Sequence, residues 1–173
     1  NGTESWSYDY TNGNDIAHHD VEMLPSGNVI FLVWEEISAF EAQAAGVDFN
    51  SNVYAETLIE VNPNTNQVEW KWRSWDHIVQ EHDSNALNYD SIGNNPQRID
   101  INYNIEPNGD FMHANGLSYD ATKDVVYISV NYFSEVWAID HSTTISEASG
   151  SSGGNYNKGG DLLYRFGNPS TYN

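Results

Sequence analysis

Apolar and polar positions alternate with a period near two over most of this chain, and they do so in short runs, which predicts β-strands. His19 to Leu24 reads as a short strand. Pro25-Ser26-Gly27-Asn28 is a turn signal, and Val29-Ile30-Phe31-Leu32-Val33-Trp34 is a β-branched and aromatic run of strand length. Glu35 to Gly46, rich in Ala and Glu, reads as a short helix on an excursion between strands. Glu56 to Val61 is the next strand, Asn62 to Asn66 a turn, and Val68-Glu69-Trp70-Lys71-Trp72 alternates as a half-buried strand should.

The same order recurs further along. Ala114 to Tyr119 is a strand, Asp120 to Lys123 a turn, and Asp124 to Val130 an apolar run. Ser134 to Asp140 follows, then a Gly- and Ser-rich loop from Gly150 to Gly160, then Leu162 to Phe166. His19 stands nine residues before Asn28, and His113 eleven before Asp124. Trp70-Lys71-Trp72 matches Tyr164-Arg165-Phe166. Two units of four short antiparallel strands are therefore expected, at about 16–75 and 110–169, with a polar loop insertion at about 76–109. That is an all-β chain with the sheet unit of a β-propeller blade, an ordinary β-sandwich being the alternative. Two blades cannot close a ring, so the 173 residues are expected to be a partial propeller domain, a fragment of a longer chain.

Twenty-five acids against six bases give a net charge of −19. Nucleic acid is not an expected partner, because binding phosphate needs Lys and Arg, and an anionic membrane surface is disfavoured for the same reason. No run of about 18 apolar residues occurs, so no membrane span is expected. There is no cysteine, hence no disulfide and no thiol chemistry.

Histidine is the residue type most open to chemistry here. It can serve as nucleophile, base or ligand near neutral pH. His18-His19-Asp20 opens the first unit and His113 opens the second. A histidine repeated at one position of two blades would converge on a shared channel. A structural hydrogen-bonding residue repeated with the blade is the alternative. His77, His82 and His141 lie near acids without the spacing of a zinc site, and solvated loops are expected for them. The stretch Asp9 to Asp15 could hold Ca²⁺, since hard cations take oxygen ligands, but it lacks the EF-hand pattern. Otherwise no cofactor is expected. Arg165 and its counterpart Lys71 are notable in so acidic a chain.

Four segments taken together resemble the arylsulfotransferase family, in its secreted form from Bacteroidetes. They are His18-His19-Asp20 with Leu24 to Asn28; Asp110-Phe111-Met112-His113-Ala114-Asn115; Phe133 to Ser142; and Gly160 to Pro169. The resemblance implies a six-bladed propeller, exported to the periplasm, cell surface or beyond. It implies transfer of a sulfuryl group from an aryl sulfate to a phenol without a nucleotide donor, through a transiently sulfated histidine. By this resemblance His19, with His18 as the alternative, and His113 bind the sulfate. The family's nucleophilic histidine falls after the Arg-Phe-Gly-Asn-Pro stretch and is not among these residues. The family's arginine falls at Asn131, and Asn supplies neither a cation nor a forked donor. Arg165 is the candidate replacement. A non-catalytic propeller serving binding or assembly, together with the rest of the propeller or other extracellular proteins, is the rival expectation.

Overall fold

A computed structural model describes residues 2–10 and 13–173. Ten strands and two short helices run along them. The first sheet is a meander of β1 (Ile16–Met23), β2 (Val29–Ile37), β3 (Val53–Asn62) and β4 (Gln67–Arg73), antiparallel throughout, in the order β1-β2-β3-β4. A parallel pair follows, β5 (Ile78–Val79) with β6 (Ile99–Asp100). The second sheet is the meander β7 (Ala114–Asp120), β8 (Val125–Val130), β9 (Glu135–Asp140) and β10 (Tyr164–Gly167), in the order β10-β9-β8-β7.

The turns have local causes. At Pro25-Ser26-Gly27-Asn28, Leu24 donates its N–H to the Asn28 carbonyl at 2.8 Å, and Gly27 holds φ +87°, a value that costs glycine little. The expected helix is α1 (Ala39–Ala44), shorter than the Ala- and Glu-rich run because Glu35 and Glu36 extend β2 instead. Ser38 caps it, its hydroxyl accepting the Glu41 N–H at 3.2 Å. The second helix, α2 (Ile145–Ala148), carries a reciprocal cap between Thr144 and Glu147.

The two meanders stack face to face. Ladder partners share a face, so Ile30, Leu32, Leu58, Trp70 and Trp72 form one wall. Val126, Ile128, Trp137 and Ile139 form the other, and all of these residues join one buried core. Two indoles tie the sheets by hydrogen bonds as well as by area: Trp70 Nε1 donates to Thr143 Oγ1 at 3.0 Å, and Trp72 Nε1 to the Gly160 carbonyl at 2.7 Å. The far face of the first sheet (Val29, Phe31, Val33, Ile59, Val61) is covered by Trp6, Tyr8 and Tyr10. The far face of the second leaves Val136, Tyr164 and Phe166 exposed.

That packing explains the matched Trp70-Lys71-Trp72 and Tyr164-Arg165-Phe166. In both strands the two aromatics share one face and the base takes the other. In β4 the aromatics meet the second sheet; in β10 they meet solvent, while Arg165 turns inward.

Two histidines expected in solvated loops are not solvated. His77, in a short 3₁₀ turn, is fully buried. Its Nδ1 lies 2.9 Å from Asp161 Oδ1, its Nε2 lies 2.8 Å from the Ala148 carbonyl, and its ring stacks on Trp72. His141 bridges the sheets, with Nε2 2.7 Å from Glu60 of β3 and Nδ1 2.7 Å from Asp124 of the β7–β8 turn. Desolvation disfavours the His141 cation, but the two carboxylates outweigh it and raise its pKa above the ordinary histidine value. His82 is exposed, as expected.

Segment 76–109 is anchored as well as looped. Ile99 and Ile101 are buried in the main core, and Asn102 holds the Gly46 carbonyl at 2.8 Å.

Candidate active site

The first strands of the two sheets, β1 and β7, lie side by side, and side chains of β1 bond to the backbone of β7 across the gap. β7 is an edge strand with free N–H groups on that side, and carboxylates of β1 accept them. Asp20 Oδ2 takes the Leu117 N–H at 2.9 Å, and Glu22 Oε2 takes the Tyr119 N–H at 3.0 Å. These bonds, between residues 97 apart in sequence, set the registry of the two first strands.

His19 and His113 occupy the same place in the two units. Each has left-handed backbone, φ +53° and +52° respectively, beside a break in its strand's ladder register. Such a residue costs about 1–3 kcal/mol and re-aims its side chain out of the pleat. The two imidazoles meet edge to face with centroids 4.8 Å apart.

Each is held from behind by a buried carboxylate. Asp110 is 1% exposed. Its Oδ2 accepts from His113 Nδ1 at 2.6 Å, and its Oδ1 accepts the N–H groups of His113 and Met112 at 3.0 and 3.3 Å. With Nδ1–H committed to Asp110, His113 presents Nε2 outward. Behind His19 the support is longer. His19 Nδ1 lies 2.7 Å from His18 Nδ1, and His18 Nε2 lies 2.9 Å from Oε2 of Glu56, which is fully buried. Glu56 Oε1 accepts from Trp34 Nε1 at 3.2 Å and from the Ala114 N–H at 2.7 Å, so this carboxyl also joins the two sheets. Burial pushes the Glu56 carboxyl above its ordinary pKa, and the bonds from His18 and Ala114 do not cancel the shift. Burial, then the neighbouring His18 and His113, hold His19 below the ordinary histidine value.

Aromatic rings flank His18 and His113, while His19 is exposed. Trp34 lies 4.8 Å from His18 and 5.7 Å from His113 between centroids, and Tyr132 stacks on His113 at 5.1 Å. Beside His18 and His19 opens a cleft of about 470 Å³ walled by Trp6, Tyr8, Tyr10 and Phe31. It is concave, mostly apolar and bordered by titratable nitrogen.

The other candidate residues lie elsewhere or are occupied. Asn131 is exposed, and its N–H is 3.1 Å from the His113 carbonyl, so it neighbours the site through its backbone. Arg165 sits on β10, at the opposite edge of the sheet from β7. Its Nε donates to Glu135 at 2.7 Å and its NH1 to the Arg98 carbonyl at 2.9 Å, and its guanidinium lies over the Tyr172 ring at 4.6 Å. Arg73 pairs with Glu35 and Asp76, and Arg98 with Asp161. Among the described residues, therefore, no arginine bonds to the histidine pair. Of the Asp9–Asp15 stretch, Thr11 and Asn12 lie outside the described residues, and Asp15 Oδ1 accepts the Glu36 N–H at 3.0 Å. Among the described residues, no three His, Asp or Glu side chains converge as metal ligands.

Glu56, Asp110 and Trp34 were not singled out for the site from sequence. Glu56 left one signal. It shares a face with Leu58 and Glu60 in an otherwise apolar strand, and an acid pointing into a core needs a partner. Both found one: Glu56 has His18 and Glu60 has His141.

Among the described residues, no helix is long and apolar enough to cross a membrane. A search of curated proteins returned no match. The family model described as Arylsulfotransferase (ASST) matches residues 2–161. With that match over nearly its whole length, the chain belongs to the arylsulfotransferase family.

Proposed function

We propose that this chain forms two blades of an exported β-propeller that transfers a sulfuryl group from an aryl sulfate to a phenol without a nucleotide donor. In this reading His19 and His113 hold the sulfuryl oxygens when they carry a proton on Nε2, and the aromatic cleft beside His19 takes an aryl ring. The observation that carries it is the pair itself, 4.8 Å between centroids, one histidine from the same position of each sheet. An imidazole N–H aimed at a transferring anionic group stabilises it. The sulfated intermediate would form on a histidine outside these residues, as the family's pattern has it.

The propeller reading is supported by the stacked meanders, the adjacent inner strands and the bare aromatic flank at Tyr164 and Phe166, which a following blade would cover. The absence of an arginine at the pair favours a second reading, a propeller kept for binding or assembly. The two part company on product. Full-length protein is incubated with an aryl sulfate and an acceptor phenol, and the sulfated acceptor is sought by mass spectrometry. Sulfated acceptor supports the transferase. A folded protein that binds aryl sulfate but makes no sulfated acceptor supports the binding module.

A further inference from the structure

We propose that Glu56 and His18 form a buried proton relay behind His19, which switches His19 Nε2 between a proton acceptor and a proton donor. The inference rests on the sulfuryl-transfer reading for its chemistry and on geometry alone for the relay itself.

The geometry leaves two arrangements. Glu56 Oε1 is committed to two donors, Trp34 Nε1 and the Ala114 N–H. Its Oε2 and His18 Nε2, 2.9 Å apart, share one proton; His18 Nδ1 and His19 Nδ1, 2.7 Å apart, share another, since two bare lone pairs would repel. In the first arrangement Glu56 is a carboxylate, His18 carries its proton on Nε2, His19 carries its own on Nδ1, and His19 Nε2 is a free lone pair. In the second Glu56 is a carboxylic acid, His18 carries its proton on Nδ1, and His19 carries its own on Nε2. Each imidazole stays neutral in both.

One proton converts the first into the second. The O–H bond of an acceptor phenol breaks and an N–H bond forms at His19 Nε2. The Nδ1 proton of His19 passes to His18 Nδ1, and the Nε2 proton of His18 passes to Glu56 Oε2. The phenol becomes phenolate and the buried carboxylate becomes a carboxylic acid, a form that burial favours. The reverse sequence protonates a departing phenolate. His113, Asp110 and Asp20 also border this chain, but Asp110 is bonded to His113 and Asp20 to the Leu117 N–H, so neither competes for the relay's protons. Glu56 and His18 are positioning residues that act through His19.

Glu56→Gln tests this with little change of shape. The amide oxygen can still accept from Trp34 and Ala114, while its NH₂ must donate to His18 Nε2. That forces His18 Nδ1–H toward His19 and locks His19 Nε2 in the N–H form. With a donor whose phenol is a good leaving group, kcat/KM for a weakly acidic acceptor phenol is expected to fall about 10²-fold, the usual contribution of a positioned base. For an acceptor already ionised at the assay pH it is expected to stay within a few-fold. Equal losses for both acceptors, or no loss for either, overturn the relay. Nitrogen-15 NMR of the histidine rings in the unsubstituted protein at neutral pH reads the tautomers with no turnover and no variant. His18 protonated on Nε2 and His19 on Nδ1 are expected; His19 protonated on Nε2 there overturns the relay. Failure of the unsubstituted protein to sulfate any acceptor, with those tautomers present, overturns the sulfuryl-transfer reading and leaves the relay standing.

Discussion

Replacing His141 with Gln tests how the two sheets are joined. His141 makes two bonds of 2.7 Å, to Glu60 and to Asp124. A charge-assisted hydrogen bond contributes about 1.5–3 kcal/mol. Neither carboxylate is orphaned by the change, because Glu60 keeps Asn28 Nδ2 at 2.7 Å and Asp124 keeps the Tyr119 hydroxyl at 2.7 Å. The Asp124 side chain is also about one third exposed, so its bond is discounted for solvent screening. A loss of about 2–3 kcal/mol is expected near pH 6. The pH dependence carries a sign. The folded pKa of His141 lies above its unfolded value. The stability from the cation is therefore fully present below the unfolded pKa and is lost as pH rises through the folded one. The difference between the two proteins should shrink from pH 6 toward pH 9. Urea unfolding of both at the two pH values measures it, as a shift in midpoint at unchanged slope. A difference that is the same at both pH values would refute the ionic account, and no difference at pH 6 would refute the bridge.

Two further substitutions probe the frame of the site. Trp72→Ala removes a fully buried indole and its bond to the Gly160 carbonyl, and should cost about 3–5 kcal/mol in a thermal or urea melt. Asp20→Ala leaves the Leu117 N–H without its acceptor, for a loss of about 1–3 kcal/mol, and should speed amide exchange at Leu117 while leaving core amides such as that of Ile128 protected.

Much of the fold was legible because its causes are local. Pro25-Ser26-Gly27-Asn28 makes its turn from its own residues, and the alternation in Val68 to Trp72 is the pleat itself. The pairing of His19 with His113 was suggested by repetition, because the two four-stranded units repeat one position. His77 and His141 were misplaced because their burial depends on partners far along the chain, Asp161 for one and Glu60 for the other. No local pattern around Trp75-Asp76-His77 announces burial against Ala148 and Asp161. Arg165 read as a possible site residue because bases are few in this acidic chain and the family resemblance puts Asn131 where an arginine belongs. Its role depends on Glu135 and Thr171, brought together by the β9–β10 pairing and the turn after it. Glu56 was legible as a strand residue, while its contact with Trp34 and Ala114 needed both sheets in place.

The most direct measurement is release of a coloured phenol from an aryl sulfate by the full-length protein, with and without an acceptor phenol, for the unsubstituted protein and for His113→Ala. Acceptor-dependent release that falls by about 10²-fold or more in His113→Ala, with the melting temperature retained, is what a sulfuryl-binding histidine pair requires. Release that the substitution leaves unchanged would contradict the assignment of His19 and His113 as the sulfuryl site.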